Sequence, residues 1–335
     1  MKRLYLSLEQ IADYANLVLA FHKAAKGKRY RSDVQMFLQH FNQNIHRLSQ
    51  AILNEKMPYG NFRAFMIYDP KQRTIHAACF EDRIFHHALM NLAGDTLERA
   101  MSPFSYACRP NKGVHRAVRQ VQKNLQRYKY FGKIDIAGYF STIDHDCLMQ
   151  VLQRRYTGKV FIQQLWRIVQ SHQGIAKQGL PIGSLTSQYF ANYYLDGLDR
   201  YLENDPSIKA YIRYMDDIIW WCDDQKTLKE SLKAIQGWLT EQRKLSIKVG
   251  SQLQSSLQGV TYCGFRITQG AIRLSQRKKQ RFQQRRVYWE SLYQRGLISA
   301  LQLQKAYASV HAIAAHTDSL AWRQENLRRV PTLEV

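Results

Sequence analysis

The sequence predicts an α+β fold, and three observations carry the prediction. Two runs of β-branched and aromatic residues, Tyr211 to Tyr214 and Ile218 to Trp221, flank one tight turn. A third stretch, Lys133 to Ile136, reads as a buried strand. Ser-x-x-Gln capping boxes, followed by apolar residues at helical spacing, mark helices toward both ends of the chain. At 335 residues there is room for two or three structural units.

Composition narrows the function. Hydrophobic residues are 45% of the chain and aromatics 12%, which excludes a disordered polypeptide. Lys and Arg number 49 against 26 for Asp and Glu, a formal net charge of +23. The expected partner is therefore a polyanion, nucleic acid first. A membrane surface is the weaker expectation, because no apolar run reaches the ~18 residues of a span and no lipidation motif is present. Cys79, Cys108, Cys147, Cys222 and Cys263 form no Cys-x-x-Cys pair, which argues against a zinc site or a disulfide framework. Lys2 and Arg3 could open a signal peptide, but Glu9, Gln10 and Asp13 interrupt its apolar segment. The expectation is a cytoplasmic protein.

In chain order, Ser7-Leu-Glu-Gln10 and Ser32-Asp-Val-Gln35 are capping boxes, each expected to open a helix. The second continues through Phe37, Phe41, Ile45, Leu48 and Ile52, predicting one helix. The connector between them (Lys23, Lys26, Lys28, Arg29, Arg31) suits a solvated loop and a phosphate contact equally. Phe65 to Ile75 reads as a β-hairpin turning at Asp69-Pro70, with Lys71 and Arg73 on one face. Two fixed cations there suit a triphosphate; a solvated edge strand that uses charge against aggregation explains them as well. Glu81 to Met90 continues as a helix on which His86 and His87 face different ways, so no shared metal is expected. Ser105 to Gly113 is a turn-rich basic loop before a helix from about Val114 to Leu125.

Asp135 lies in its strand with no local charge partner, and Gly138 loosens the backbone before Tyr139 and Phe140. Asp144 and Asp146 suit helix capping. Lys177 to Gln188 is a glycine-rich loop opening a helix expected over Tyr189 to Leu202; no Gly-Lys-Ser/Thr follows, so it is not a Walker loop. Asp216 and Asp217 sit at the turn between the two aromatic strands. An exposed turn is one account of them, since Asp favours turns. Cation binding is the other, because like charges in an apolar hairpin are costly without a cation. Joined by Asp135, they suffice for two divalent ions that activate a 3′-hydroxyl and stabilise pyrophosphate in an in-line phosphoryl transfer. Asp223-Asp224 precedes a helical pattern (Leu228, Leu232, Ile235, Leu239) and suits capping. Arg277, Lys278, Lys279, Arg281, Arg285 and Arg286 put six cations in ten residues on one predicted helix, with Phe282, Trp289 and Leu292 as its apolar side. Ser299-Ala-Leu-Gln302 caps another helix running through Ala306, Val310 and Ile313. Such a basic helical segment can grip a duplex backbone without reading sequence. His311 and His316 are off one face, and no metal is expected there.

In this order the parts resemble a reverse transcriptase over roughly residues 30 to 320. Lys71-x-Arg73 resembles the fingers hairpin, Asp135 to Phe140 motif A, the Gly183/Ser187 loop motif B, and Tyr214-Met-Asp-Asp217 the catalytic C motif. Gln258 to Phe265 is similar to the primer-grip strand pair. Most relatives carry Gln-Gly-x-x-x-Ser-Pro in motif B. Here Ile182-Gly183-Ser-Leu-Thr-Ser187-Gln188 resembles diversity-generating retroelements of the group-II-intron-like lineage, as do Asp82-Arg83 and Ser105-Tyr-Ala-Cys-Arg-Pro.

The resemblance implies a right-hand polymerase fold: an N-terminal helical extension (1–60), fingers (61–130), a palm with an antiparallel sheet (131–265, with helices about 147–180) and a basic helical thumb (266–335). It implies Asp135, Asp216 and Asp217 as catalytic residues. Two Mg²⁺ ions, for which Mn²⁺ can substitute, would be held by Asp135 and Asp216, with Asp217 assisting and the Ile136 carbonyl as an extra ligand. Lys71 and Arg73 would take the triphosphate and Phe140 would gate the ribose, with Ile182, Gly183, Ser187 and Gln188 also at the nucleotide. The usual motif D lysine has no obvious counterpart; Lys248 is the candidate general acid. The implied activity is RNA-directed DNA synthesis with errors at adenines, diversifying a target gene in a bacterial, archaeal or phage setting. The implied partners are template RNA, primer or cDNA, dNTPs and a small barrel-shaped accessory protein. A defence-associated or group-II-intron-like reverse transcriptase is the alternative. A non-catalytic nucleic-acid scaffold is a third reading, against which the three acids argue.

Overall fold

The aromatic and β-branched runs do form the strands, and the computed structural model describes residues 3–57, 60, 62–68, 72–171 and 177–331. Among these the strands are β1 (Leu4–Tyr5), β2 (Phe62–Tyr68), β3 (Gln72–Ala78), β4 (Tyr130–Asp135), β5 (Tyr156–Thr157), β6 (Ala210–Tyr214), β7 (Asp217–Cys222), β8 (Gln252–Ser255), β9 (Val260–Tyr262), β10 (Phe265–Ile267) and β11 (Ile272–Leu274). Two compact units form, each from three stretches of chain: Met1–Arg109, Asp135–Asn204 and Lys233–Val249 in the first, Pro110–Ile134, Asp205–Leu232 and Gly250–Val335 in the second. No described helix is long and apolar enough to cross a membrane, and all five cysteines are free.

In the first unit, the Ser7–Gln10 capping box opens helix Leu8–Ala12 as expected. At the second box the structure corrects the reading. Ser32 is itself helical, Arg31 occupies the cap position without a side-chain capping bond, and the helix stops at Gln39. His40, at φ −125°, breaks the apolar stripe, and a new helix runs Phe41–Leu53. Packing explains the break. Phe21, on helix Tyr14–Ala25, stacks on Phe37 (ring centroids 5.6 Å) and meets Phe41 edge-on (4.9 Å), so the chain bends to close both rings on one partner. Strands β2 and β3 pair antiparallel from Phe62↔Ala78 to Tyr68↔Gln72. The Asp69-Pro70 turn and Lys71 lie outside the described residues. The helix expected over Tyr189 to Leu202 begins earlier, at Leu185, and ends at Tyr194; a separate helix covers Asp196–Asn204. Asp196 starts that second helix while its carboxylate accepts the Ser102 N–H at 3.0 Å, a distant contact that periodicity does not report.

In the second unit, four strands lie in the order β6-β7-β4-β8 and three more in the order β11-β10-β9. Strands β6 and β7 pair antiparallel from Ala210↔Trp221 to Tyr214↔Asp217, and β4 pairs antiparallel with β8. Ile218, Ile219, Trp220 and Trp221 are fully buried. Gly132 in β4 lets the Trp220 indole lie flat on the backbone: a Cβ there would come within 2.3 Å of the ring. Helices Val114–Arg127, Gln276–Gln294, Ala300–Ala314 and Leu320–Arg329 complete the unit, the third opened by the expected Ser299–Gln302 box.

Because the indole has nowhere to go, Gly132→Ala should destabilise the protein by about 1–3 kcal/mol or more, measured by thermal melting. An unchanged melting temperature would mean that Trp220 swings aside freely.

Candidate active site

Strands β6 and β7 are joined by a two-residue turn, Met215-Asp216, below the Tyr214↔Asp217 pair. Met215 takes a left-handed φ of +61°, costly for a side chain other than glycine or asparagine. Two hydrogen bonds hold the turn. The buried Arg213 guanidinium donates to the Met215 carbonyl (3.2 Å), and the Tyr262 hydroxyl donates to the Asp217 carbonyl (2.9 Å). Both acids are half-buried. Strand β4 also brings a cation to the pair: Lys133 Nζ stands 3.5 Å from Asp217 Oδ1.

Asp135 ends β4 with its side chain 49% exposed, rather than buried as the strand pattern suggests. Lys248 Nζ lies 3.7 Å from Asp135 Oδ2, and the Lys248 N–H donates to the Asp135 carbonyl (2.8 Å). The next residue, Ile136, is buried and bridges to Ile247. Gly138, at φ +54°, starts a short turn of helix, Tyr139–Thr142, which holds a half-buried Phe140.

The glycine-rich loop is stitched to this segment and to the fingers hairpin. Leu180 N–H donates to the Phe140 carbonyl (2.7 Å) and Gly179 N–H to the Ile143 carbonyl (2.9 Å). Further along, the His76 N–H of β3 donates to the Ile182 carbonyl (2.9 Å). Gly183, at φ +111°, is packed so closely that a Cβ would meet Ile75 at 2.9 Å. The Ile182 side chain is half-buried. Ser187 is buried and Gln188 half-buried, both inside the helix rather than before it. Arg73 is exposed on β3 opposite Ile67. Asp144 caps helix His145–Gln153 by accepting the Cys147 N–H, as expected. Burial pushes its carboxyl up, but the Lys244 ammonium at 2.7 Å and the Cys147 N–H hold it below the ordinary carboxylate range.

A cavity of about 730 Å³ opens beside this loop, with Ser184 and Gln188 on its wall. Lys23, Lys26, Lys28 and Arg31 of the basic connector also line it, with Arg83 and with Arg63, which sequence reasoning did not single out. Burial, then the neighbouring Lys23, Arg83 and Lys28, push His87 down to about 4; burial does the same to His86. Both imidazoles are neutral at pH 7.

On helix Gln276–Gln294, Arg277 and Arg285 are exposed and Arg281 is partly so. Lys278 Nζ sits 3.3 Å from the Phe265 ring centre; burial, then Arg277 and Arg281, push its pKa down to about 8. Lys279 lies over Trp322. Arg286 needs correction as a phosphate ligand. Its side chain is 3% exposed, paired at 2.9 Å with an equally buried Glu290, and it donates to the Val330 carbonyl. Trp289 and Leu292 are only half-buried, so Phe282, Arg286 and Glu290 form the inward side of this helix.

Asp216 and Asp217 are hard oxygen donors of the kind Mg²⁺ takes, and a cation already stands beside one of them. Among the described residues, no group of three or more His, Cys, Asp or Glu side chains is gathered closely enough to hold a metal ion.

The helix-and-sheet architecture is that of a right-hand polymerase. Residues 68–267 match the family described as reverse transcriptase (RNA-dependent DNA polymerase), and the chain belongs to that family. Members generally use divalent metal ions. The chain is 28% identical over 169 residues to Protein YkfC of Escherichia coli (strain K12), covering 45% of this chain and 44% of that protein. It is 24% identical over 140 residues to the group II intron-encoded protein LtrA of Lactococcus lactis subsp. cremoris, covering 39% and 23%. Telomerase from Candida tropicalis, solved with a TWJ fragment of telomeric RNA, shares the fold at TM-score 0.50 and 11% identity, over 82% of this chain and 55% of that one. The matches thus span less than half the length of these curated relatives.

The Arg286–Glu290 assignment is testable. Arg286→Met should cost about 3–5 kcal/mol by stranding a buried carboxylate, and adding Glu290→Leu should recover most of it. Urea unfolding reads both. A single variant as stable as wild type would return Arg286 to the surface.

Proposed function

We propose that this protein copies an RNA template into DNA by two-metal-ion nucleotidyl transfer. The observation that carries the reading is the clamped Met215-Asp216 turn, which presents two carboxylates inside a chain of reverse transcriptase family. Asp135 and Asp216 would hold the ions, with Asp217 assisting and the Ile136 carbonyl as an extra ligand; Mg²⁺ or Mn²⁺ bound there would supply activation of the primer 3′-hydroxyl and stabilisation of the leaving pyrophosphate. Lys71 and Arg73 orient the triphosphate of the incoming dNTP. Phe140 excludes a 2′-hydroxyl by clash. Gly183, Ser187 and Gln188 shape the floor under the nascent pair, and Lys248 delivers a proton toward pyrophosphate. Arg277, Lys278, Lys279, Arg281 and Arg285 grip the template–primer backbone. Residues 1–60 act as the helical extension, 61–130 as fingers, 131–265 as palm and 266–335 as thumb.

The finer reading is the reverse transcriptase of a diversity-generating retroelement, cytoplasmic and served by a small barrel-shaped accessory protein, making cDNA with errors at adenines. The Ile182-Gly183…Ser187-Gln188 pattern supports it. An aliphatic side chain at that position can neither donate nor accept, so one check on pair geometry is missing. A group-II-intron-like enzyme is the second reading, favoured by the likeness to LtrA.

Asp216→Asn keeps the shape and removes the charge. Extension of a primed RNA with dNTPs and Mg²⁺ should fall on the order of a thousandfold or more while RNA binding persists. Near-normal extension would overturn the polymerase assignment. For the finer reading, Ile182→Gln should lower misincorporation opposite template adenine, read by sequencing cDNA from one RNA. Equal adenine error rates at retained activity would assign the infidelity elsewhere.

A further inference from the structure

Lys133 is absent from every role above, yet its ammonium stands beside the catalytic turn. It stands 3.5 Å from Asp217 Oδ1, with the two side chains only 19% and 25% exposed. It also donates to the Thr261 carbonyl (3.1 Å) and lies 5.8 Å from the centre of the Tyr262 ring. Tyr262 closes the ring of contacts by donating to the Asp217 carbonyl. An exposed lysine pair would be loose and contribute little, but this ammonium is held by a carbonyl and an aromatic face as well as by the carboxylate. A positive charge 3.5 Å from Oδ1 repels a divalent ion approaching that oxygen, so the two compete for it.

We propose that Lys133 is a positioning residue whose charge competes with a divalent ion for Asp217 Oδ1, keeping that oxygen out of metal coordination and leaving Asp217 to assist Asp216 through its other oxygen. This rests on the reading of Asp216 and Asp217 as metal-holding residues and adds a division of labour between them. An ion pair serving stability alone makes a different demand: its loss would weaken metal binding and turnover together. Here the two move in opposite directions.

The test uses the full chain. Lys133→Met keeps the aliphatic stem beside Tyr262 and removes the charge; Lys133→Arg keeps the charge. Binding of Mn²⁺ alone is followed by the electron paramagnetic resonance of the free ion, and primer extension is measured over a range of dNTP at saturating Mg²⁺. Lys133→Met should bind Mn²⁺ about fivefold more tightly, because a competing charge is gone. Its kcat should fall about tenfold or more at an unchanged KM for dNTP. Lys133→Arg should return both values toward wild type. Unchanged or weaker Mn²⁺ binding at a wild-type melting temperature overturns the proposal, as does an untouched kcat. If Lys133→Met melts below the assay temperature, Lys133→Gln, which still donates to the Thr261 carbonyl, is read by the same criteria. Adding Asp216→Asn assigns the bound ion to this turn. A wild-type chain with neither Asp216-dependent Mn²⁺ binding nor primer extension overturns the polymerase reading as well, whereas Asp216-dependent binding indifferent to residue 133 overturns the Lys133 proposal alone.

Discussion

Two carboxylates on consecutive residues, at a left-handed turn between buried strands, repel each other and strain the backbone, and much of the second unit answers that constraint. The left-handed Met215 costs about 1–3 kcal/mol. Burial of Ile218, Ile219, Trp220 and Trp221 contributes roughly 1.5–3 kcal/mol for each side chain, so the hairpin survives the strain with a wide margin. Direction is set separately. Arg213 fixes the Met215 carbonyl, Tyr262 fixes the Asp217 carbonyl, and Lys133 faces the Asp217 carboxylate. Gly132 belongs to the same solution, because only a bare backbone lets the indole of Trp220 lie against β4 beside Lys133.

The first unit presents the complementary charge problem. Lysines and arginines from the connector, from β2 and from helix Phe80–Ala100 face one cavity, and they depress one another. Burial, then Arg83 and Arg31, lower the Lys28 pKa, while burial first and Arg31 later lower that of Arg83. The two histidines on the wall stay neutral, which limits the repulsion without removing it. A wall of this kind is stable beside a polyanion, in keeping with a chain of net charge +23. The glycine-rich loop is tied at Phe140 on one side and at His76 on the other, so the segment carrying Ile182 and Gly183 has little freedom to drift.

The sequence by itself determined whatever is set within a few residues. The caps at Ser7, Asp144, Asp224 and Ser299 came from side chains bonding a backbone N–H three positions on, and the Tyr214–Asp217 hairpin from alternation either side of a short turn. Tertiary structure alone decided the rest. Lys133 reaches Asp217, and Lys248 reaches Asp135, across long chain separations that no local period encodes. Arg286 reads as one more surface cation among six; its partner Glu290 lies only four residues on, but the pair is buried where Tyr307 bonds Glu290 and the Val330 carbonyl accepts from Arg286. The helix breaks at His40 and Leu195 carry no glycine or proline, because they follow from aromatic packing on Phe21 and from the Asp196 contact with Ser102. Local preferences act through neighbouring backbone bonds and can be read along the chain, whereas the partner of a buried charge or ring is set only when distant segments meet.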